Sequence, residues 1–459
     1  AAECGCGFKR DSACADWSEV WFAHAASQLE EDALAWMRAL PRQLRFTLGG
    51  RRFAVIHGGD EDIAEYIFAS TPVAAKARIF ERLSRNDPTG DPPGEPIDAV
   101  IGGHSGLPFT QTLGSRLWHN PGGIGMPAND GTPRLRGAIA GWIKRRYAVD
   151  VDADTQVMPL NGTREGLYNA VMATCPETKN GRKPAILMPN PFYQVYMIAA
   201  ISGAADPVMV PATRETGHLP DFASLPEDVL NRTTAAYVCS PANPQGAVAT
   251  RAYWADLIAL AEKYDFKIFA DECYSEIYRD APPVGALQVA QEVGADPDRV
   301  VIFHSLSKRS NLPGLRSGFV ASGANTMREI KQLRNYAGAP LPLPLQAASA
   351  AVWDDEAHVA ENRALYIEKY EVADRILGNV PGYQSPEAGF FLWLPVEDDE
   401  AAALKLWRET GVRVLPGGYL AQSVNGENPG KQYIRVAMVA PKEETTRGIE
   451  AIRRCLYPE

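Results

Sequence analysis

Apolar positions change rhythm along this chain. From residue 135 onward, short unbroken apolar runs alternate with stretches in which apolar positions return at helical spacing. The runs predict strands at 156–160, 185–188, 207–210, 236–239, 267–270, 300–303 and 318–321. The periodic stretches predict helices at 139–146, 164–174 and 253–264. Apolar strands between helices indicate a parallel sheet covered on both faces. Ligands gather at the carboxyl edge of such sheets. The first 133 residues read differently. They carry a helical pattern at 29–40 and strand signals at 52–57, 99–102 and 116–120, then a loop rich in Pro, Gly and Asn at 121–133. No internal repeat or low-complexity tract is present.

At 459 residues, with 46% hydrophobic and 22% charged residues, the composition is globular and long enough for two or three domains. The net charge of −10 argues against a nucleic-acid surface. No apolar run reaches the ~20 residues of a membrane span. The opening residues show neither the basic nor the apolar segment of a signal peptide. The sequence starts without Met, so the natural N-terminus is expected upstream of Ala1. Seven scattered cysteines, an odd number, suit reduced thiols in a cytoplasm better than a disulfide framework. Cys4, Cys6 and Cys14 lack a fourth ligand at zinc-finger spacing, and free thiols are expected there.

Four local patterns sit at predicted strand edges. Asp271 closes one strand and is followed by Glu272, Cys273 and Tyr274; taken alone, it could cap the next helix. His304-Ser305-Leu306-Ser307-Lys308 follows the next strand, with Arg316 further on, and places a lysine among small hydroxyls in a loop. Ser240 through Gly246, which holds Asn243-Pro244, could be a plain turn. Asn161-Gly162-Thr163-Arg164 stands at a helix mouth, where free N–H groups and the helix dipole favour an anion. Each pattern alone is ordinary. Four in this order, each on a strand edge, are not.

Together they resemble the fold-type I, pyridoxal-phosphate-dependent aminotransferases of class I/II, over essentially all of 135–459. The resemblance implies a catalytic group of Lys308, Asp271 and Tyr274. Lys308 forms an imine with the cofactor aldehyde and then acts as base at the substrate Cα. Asp271 keeps the pyridine nitrogen protonated. Tyr274 and Asn243 hydrogen-bond the ring 3′-oxygen, and Tyr193 stacks on the ring. Gly162, Thr163, Arg164, Ser305, Ser307 and Arg316 complete the cofactor site, the arginine at 316 as a two-pronged phosphate donor. Arg435, which without the family would read as an exposed strand residue, clamps the substrate carboxylate together with Asn243. Motifs of the last third, among them Gly389-Phe390-Phe391-Leu392-Trp393 and Leu415-Pro416-Gly417, are most similar to the N-succinyl-diaminopimelate aminotransferase subgroup.

The N-terminal stretch departs from that family. Phe53 through Gly58, Val100 through Phe109 and Trp118 through Gly125 resemble the C-terminal half of a calcineurin-like metallophosphoesterase. His57 and His104 match two of that family's metal ligands. Its earlier ligand motifs are missing, and Gly106 replaces the second histidine of Gly-His-x-His. Two imidazoles cannot hold a dinuclear centre, so no metal is expected. Residues 126–136 fit both families at once, which implies a gene fusion in this shared stretch; Met126 stands where the aminotransferases place a tyrosine.

The expected architecture is α/β. A truncated metallophosphoesterase-like segment spans 1–133 and a fold-type I large domain with a mixed, mostly parallel sheet spans 134–340. A C-terminal α+β small domain spans 341–459. The expected activity is amino transfer between amino acids and 2-oxo acids with pyridoxal 5′-phosphate. A cytoplasmic homodimer is expected, with no nucleic-acid or membrane partner. Three alternatives stay open: a pyridoxal-phosphate enzyme with relaxed reaction specificity, because the segment that forms the substrate lip is replaced; a cofactor binder without turnover; and a phosphoesterase.

Overall fold

The computed structural model describes residues 30–63, 65–85, 95–105, 109–121 and 130–458. Cys4, Cys6, Cys14, Gly106 and Met126 therefore lie outside the described residues. The chain divides into two compact units, 1–127 and 128–459.

In the first unit, Gly49 and Gly50 turn β1 (Gln43–Leu48) back onto β2 (Arg51–Ile56). Both glycines have positive φ, +57° and +73°, as a two-residue type I′ hairpin requires. β1 is not among the strands expected at 52–57, 99–102 and 116–120, although its Leu44, Phe46 and Leu48 alternate with polar residues; these three apolar side chains stay exposed. The sheet also contains β3 (Ala99–Gly102), β4 (Phe109–Leu113) and β5 (Arg116–Asn120), in the order β1-β2-β3-β5-β4. Helix Val73–Arg85 buries Ile79, Phe80 and Leu83 with Ala54, Val100 and Trp118.

The second unit opens with helix Pro133–Tyr147, longer than its apolar pattern suggests. Thr132 caps it by accepting the Leu135 N–H, and Pro133 suits its first turn. Seven strands follow: β6 (Val157–Leu160), β7 (Ala185–Asn190), β8 (Asp206–Pro211), β9 (Thr233–Cys239), β10 (Lys267–Asp271), β11 (Val300–Ser305) and β12 (Gly318–Ala321). Their order is β6-β12-β11-β10-β9-β7-β8. The sheet is mixed and mostly parallel. Strand alternation alone suggests a wholly parallel sheet, but β12 runs antiparallel to both β11 and β6. Between β11 and β12 lie only short turns, Leu306–Arg309 and Pro313–Leu315, not the crossover helix that a parallel return needs.

Both faces of this sheet are covered, which is why its strands read as unbroken apolar runs. Along β10 and β11, Ile268, Ala270, Val300 and Ile302 enter one core with Trp142, Trp254 and Trp353. The alternate residues Phe269, Val301 and Phe303 enter the other core, with Leu167 and Tyr196. Helix Leu343–Asp354, on the small-domain side of the division expected at 340, packs Ala350 and Trp353 into the first of these cores.

A three-stranded antiparallel sheet completes the unit: β13 (Phe391–Pro395), β14 (Leu415–Pro416) and β15 (Tyr433–Ala437), in the order β13-β15-β14. Ile434 and Val436 of β15 join Leu392, Leu406 and Ile449 in a separate core. Side chains alternate across a strand, so Arg435 leaves that core on the opposite face. Among the described residues no helix is long and apolar enough to cross a membrane.

Candidate active site

Period-two alternation carries through to the strand ends. Asp271 continues the parity of Phe269, and Ser305 that of Phe303, so both emerge on the same side of the sheet. Asp271 is 5% exposed, and its Oδ2 accepts the Tyr196 hydroxyl at 2.7 Å. Burial pushes its carboxyl above the ordinary range; hydrogen bonds from Cys273 and Tyr196 and the nearby His304 pull the other way. Cys239 sits beside Asp271 on β9.

Lys308 lies in a short helical turn, Leu306–Arg309, rather than in the expected loop. The turn forms because Ser305 caps it: its Oγ accepts the Ser307 N–H at 3.1 Å and donates to the Ser317 carbonyl at 3.3 Å. The ammonium lies 4.8 Å from the Phe390 ring centroid and 5.9 Å from that of Tyr274. Burial lowers the Lys308 pKa, with Arg435 and Arg316 adding to the effect and Cys273 opposing it. A lysine so placed loses its proton more readily and becomes a better nucleophile.

Gly162 starts helix Thr163–Thr174 with φ of +87°. A Cβ there would overlap the Arg316 guanidinium, so the close approach requires glycine. That guanidinium donates to the carbonyls of Pro313 and Asn161, at 2.9 and 3.2 Å. Thr163, Ser305, Ser307 and Arg316 line one cavity of about 330 Å³. Glycine backbone, helix N-terminus, hydroxyls and guanidinium make a cradle for a phosphate. The Arg164 Nε donates to the Tyr193 hydroxyl at 2.8 Å, and both side chains line the same cavity.

Asn243, Asp271, Tyr274, Lys308 and Arg435 line it too. Arg435 Nη1 donates to Asn243 Oδ1 at 3.0 Å, and its guanidinium carbon lies 4.5 Å from the Phe391 ring centroid. Burial lowers the Arg435 pKa. Burial likewise pushes the Tyr274 phenol well above its ordinary range, which keeps its hydroxyl a donor. The cavity thus gathers every nominated side chain, and Gly162 abuts it through Arg316. It also holds Cys239, Cys273, Pro313 and Phe391, and Tyr196 stands behind Asp271. Strand parity could have revealed Cys239; the other additions have no local signal.

The profile of the family described as aminotransferase class I and II matches residues 114–452. The chain belongs to that family. The match starts earlier than the 135 that the motifs suggest. An LL-diaminopimelate aminotransferase of Dehalococcoides mccartyi is 29% identical over 383 residues, covering 81% of this chain and 94% of that relative. Among solved structures, an aminotransferase from Neisseria meningitidis aligns with a TM-score of 0.68 at 43% identity, over 72% of this chain and 84% of that one. A probable N-succinyldiaminopimelate aminotransferase from Thermus thermophilus aligns with a TM-score of 0.63 at 26% identity, over 70% of this chain and 84% of that one.

This aminotransferase is pyridoxal-phosphate-dependent, as its family is. The residues present fit the cofactor. The cradle at Gly162 and Arg316 suits its phosphate, Lys308 its aldehyde and Asp271 its ring nitrogen.

In the first unit, His57 follows β2 and His104 follows β3. His104 Nδ1 and His57 Nε2 share a hydrogen bond of 3.1 Å, and Tyr66 packs 4.4 Å from the His104 ring. Burial and then His104 lower the His57 pKa. No cluster of three or more His, Cys, Asp or Glu side chains able to hold a metal occurs among the described residues. The pair does not fit a dinuclear metal centre.

Proposed function

We propose that this aminotransferase transfers amino groups between dicarboxylic amino acids and 2-oxo acids, with Lys308 as its catalytic amine. One observation carries the proposal. The Lys308 amine, the buried Asp271 carboxylate, the Gly162–Arg316 cradle and the Arg435 guanidinium border a single cavity. When bound, pyridoxal phosphate supplies an aldehyde that takes up the substrate amine and a ring that accepts electrons from the bond broken at Cα.

The protein's own groups do the rest. Lys308 Nζ would hold the aldehyde until substrate arrives, then, as the free amine, would take the proton from the substrate Cα and deliver it to the former aldehyde carbon, so that the nitrogen stays with the cofactor. Asp271 holds negative charge toward the ring nitrogen. Tyr274 and Asn243 donate to the ring oxygen, and Tyr193 covers the ring. Thr163, Ser305, Ser307, Arg316 and the N–H groups after Gly162 bind the phosphate, while Arg164 steadies Tyr193. Arg435, oriented by Asn243, pairs with the substrate α-carboxylate.

The substrate class rests on relatives named for LL-diaminopimelate and N-succinyldiaminopimelate. Glutamate is the proposed donor. A cytoplasmic location belongs to the same proposal, supported by the free thiols Cys175, Cys239, Cys273 and Cys455, and so does a homodimer, which the resemblance to fold-type I aminotransferases implies. So does descent of residues 1–133 from a metallophosphoesterase-like sequence by fusion, supported by His57 and His104 at adjacent strand ends. Turnover of glutamate and 2-oxo acids by wild type, with none from Lys308→Ala, is the expected result. A Lys308→Ala protein that still transfers amino groups would overturn the assignment.

A further inference from the structure

The Tyr196 hydroxyl donates to Asp271 Oδ2 at 2.7 Å. No motif marks this tyrosine, which lies in the first turn of helix Gln194–Ser202 and reads as ordinary core. Its ring is 0% exposed and lies flat on Tyr237, with centroids 4.3 Å apart and planes 11° apart. The stack leaves the ring one orientation. Burial, then the charge of Asp271, pushes the Tyr196 phenol well above its ordinary range, so it remains a donor. The second carboxylate oxygen, Oδ1, meets the Cys273 N–H at 3.4 Å, long for a hydrogen bond. One oxygen is therefore tied from behind, while the side chain lines the cavity.

We propose that Tyr196 is a positioning residue of the transamination site, holding Asp271 as an anion with its second oxygen turned toward the cofactor. The inference rests on the assignment of Asp271 to the cofactor's ring nitrogen. It adds that the carboxylate does not keep its charge unaided in so buried a place. A buried carboxylate accepting a strong hydrogen bond has its charged form favoured. The titratable groups facing Asp271 are Tyr196 from the helix, Tyr237 and Cys239 from β9, Cys273 and Tyr274 from its own loop, and His304 from β11. The Tyr237 hydroxyl is committed to the Leu167 carbonyl at 2.5 Å, and His304 packs between Trp142 and Phe319 on the other side of the sheet.

Tyr196 also ties two functions to one helical turn. Its neighbour Tyr193 lines the cofactor cavity, and the two rings meet edge to face at 5.7 Å. A shift of this turn would move the ring cover and the carboxylate's support together.

The test is Tyr196→Phe, which keeps the ring and its stack, beside Tyr237→Phe, which removes a hydroxyl from the same stack without touching Asp271. Loss of the Tyr196 donor lets burial raise the Asp271 pKa, so the anion is lost at a higher pH as pH falls. The acid limb of the bound cofactor's absorbance should move up by about one pH unit, and kcat should fall about tenfold or more. KM should stay within about twofold, because no substrate contact is removed. Circular dichroism should match wild type, and Tyr237→Phe should leave the absorbance limb in place. A Tyr196→Phe limb that coincides with that of Tyr237→Phe, in a wild type that binds pyridoxal phosphate, sinks the inference alone. A wild type that takes up no pyridoxal phosphate overturns the functional assignment and the inference with it.

Discussion

Arg435 on β15 donates to Asn243, in the turn after β9, across 3.0 Å and 192 positions of sequence. The bond joins the small antiparallel sheet to the carboxyl edge of the large one, and both residues line the cofactor cavity. The amide aims the guanidinium while leaving it other N–H groups to offer. With Phe391 against its face and burial lowering its pKa, Arg435 is stabilised by an anion brought into the cavity.

Arg435→Ala should therefore weaken substrate far more than cofactor. A buried charge-assisted contact is worth roughly 1.5–3 kcal/mol, or about ten- to a hundred-fold in kcat/KM for glutamate. Steady-state kinetics with glutamate, beside an absorbance measurement of bound cofactor, checks this. Unchanged kinetics would mean that the α-carboxylate is held elsewhere.

Lys308→Ala should lose the absorbance that marks lysine-linked cofactor. In wild type, the lowered pKa of Lys308 has a directional consequence. The neutral amine is the reactive form, so cofactor capture by the cofactor-free protein should accelerate as pH rises. Its midpoint should fall below the ordinary 10.5 of lysine. A midpoint at or above that value contradicts the environment described for Lys308.

Gly162→Ala should loosen the cofactor by about tenfold or more, because a side chain at φ +87° is strained and its Cβ displaces the Arg316 guanidinium. Dialysis followed by absorbance measures the loss. Retention equal to wild type would place the phosphate outside this cradle.

His57 and His104 should hold no stoichiometric metal, since each imidazole already has a partner in the other. Elemental analysis is expected to find well under one transition metal per chain. About two metals per chain, with a phosphodiesterase activity that a chelator abolishes, would restore the phosphoesterase alternative.

The residues whose chemistry is local were legible in the sequence. Asp271 ends β10 with Tyr274 just beyond it, and Lys308 follows β11, so the proposed catalytic side chains stand at the sheet's carboxyl edge. Strand alternation, a property of neighbouring residues, already places Asp271 and Ser305 on one face. The glycine at 162 is likewise written into a short motif, although the guanidinium that demands it is contributed from Arg316. Other features had no local signature. The direction of β12 depends on a connection without a crossover helix, and the turn that carries Lys308 depends on a cap from Ser305. That Leu44, Phe46 and Leu48 of β1 stay exposed is likewise not written in their alternation with polar residues, which is that of a half-buried strand. Tyr196 is an unremarkable core aromatic until folding stacks it on Tyr237 and aims its hydroxyl at Asp271. Arg435 is an ordinary strand residue until β15 turns its other face to a core and leaves the guanidinium beside Asn243. Side-chain identity and spacing specify what a residue can do, but partners far apart in sequence meet only through packing, and it is packing that decides which of those capacities is used.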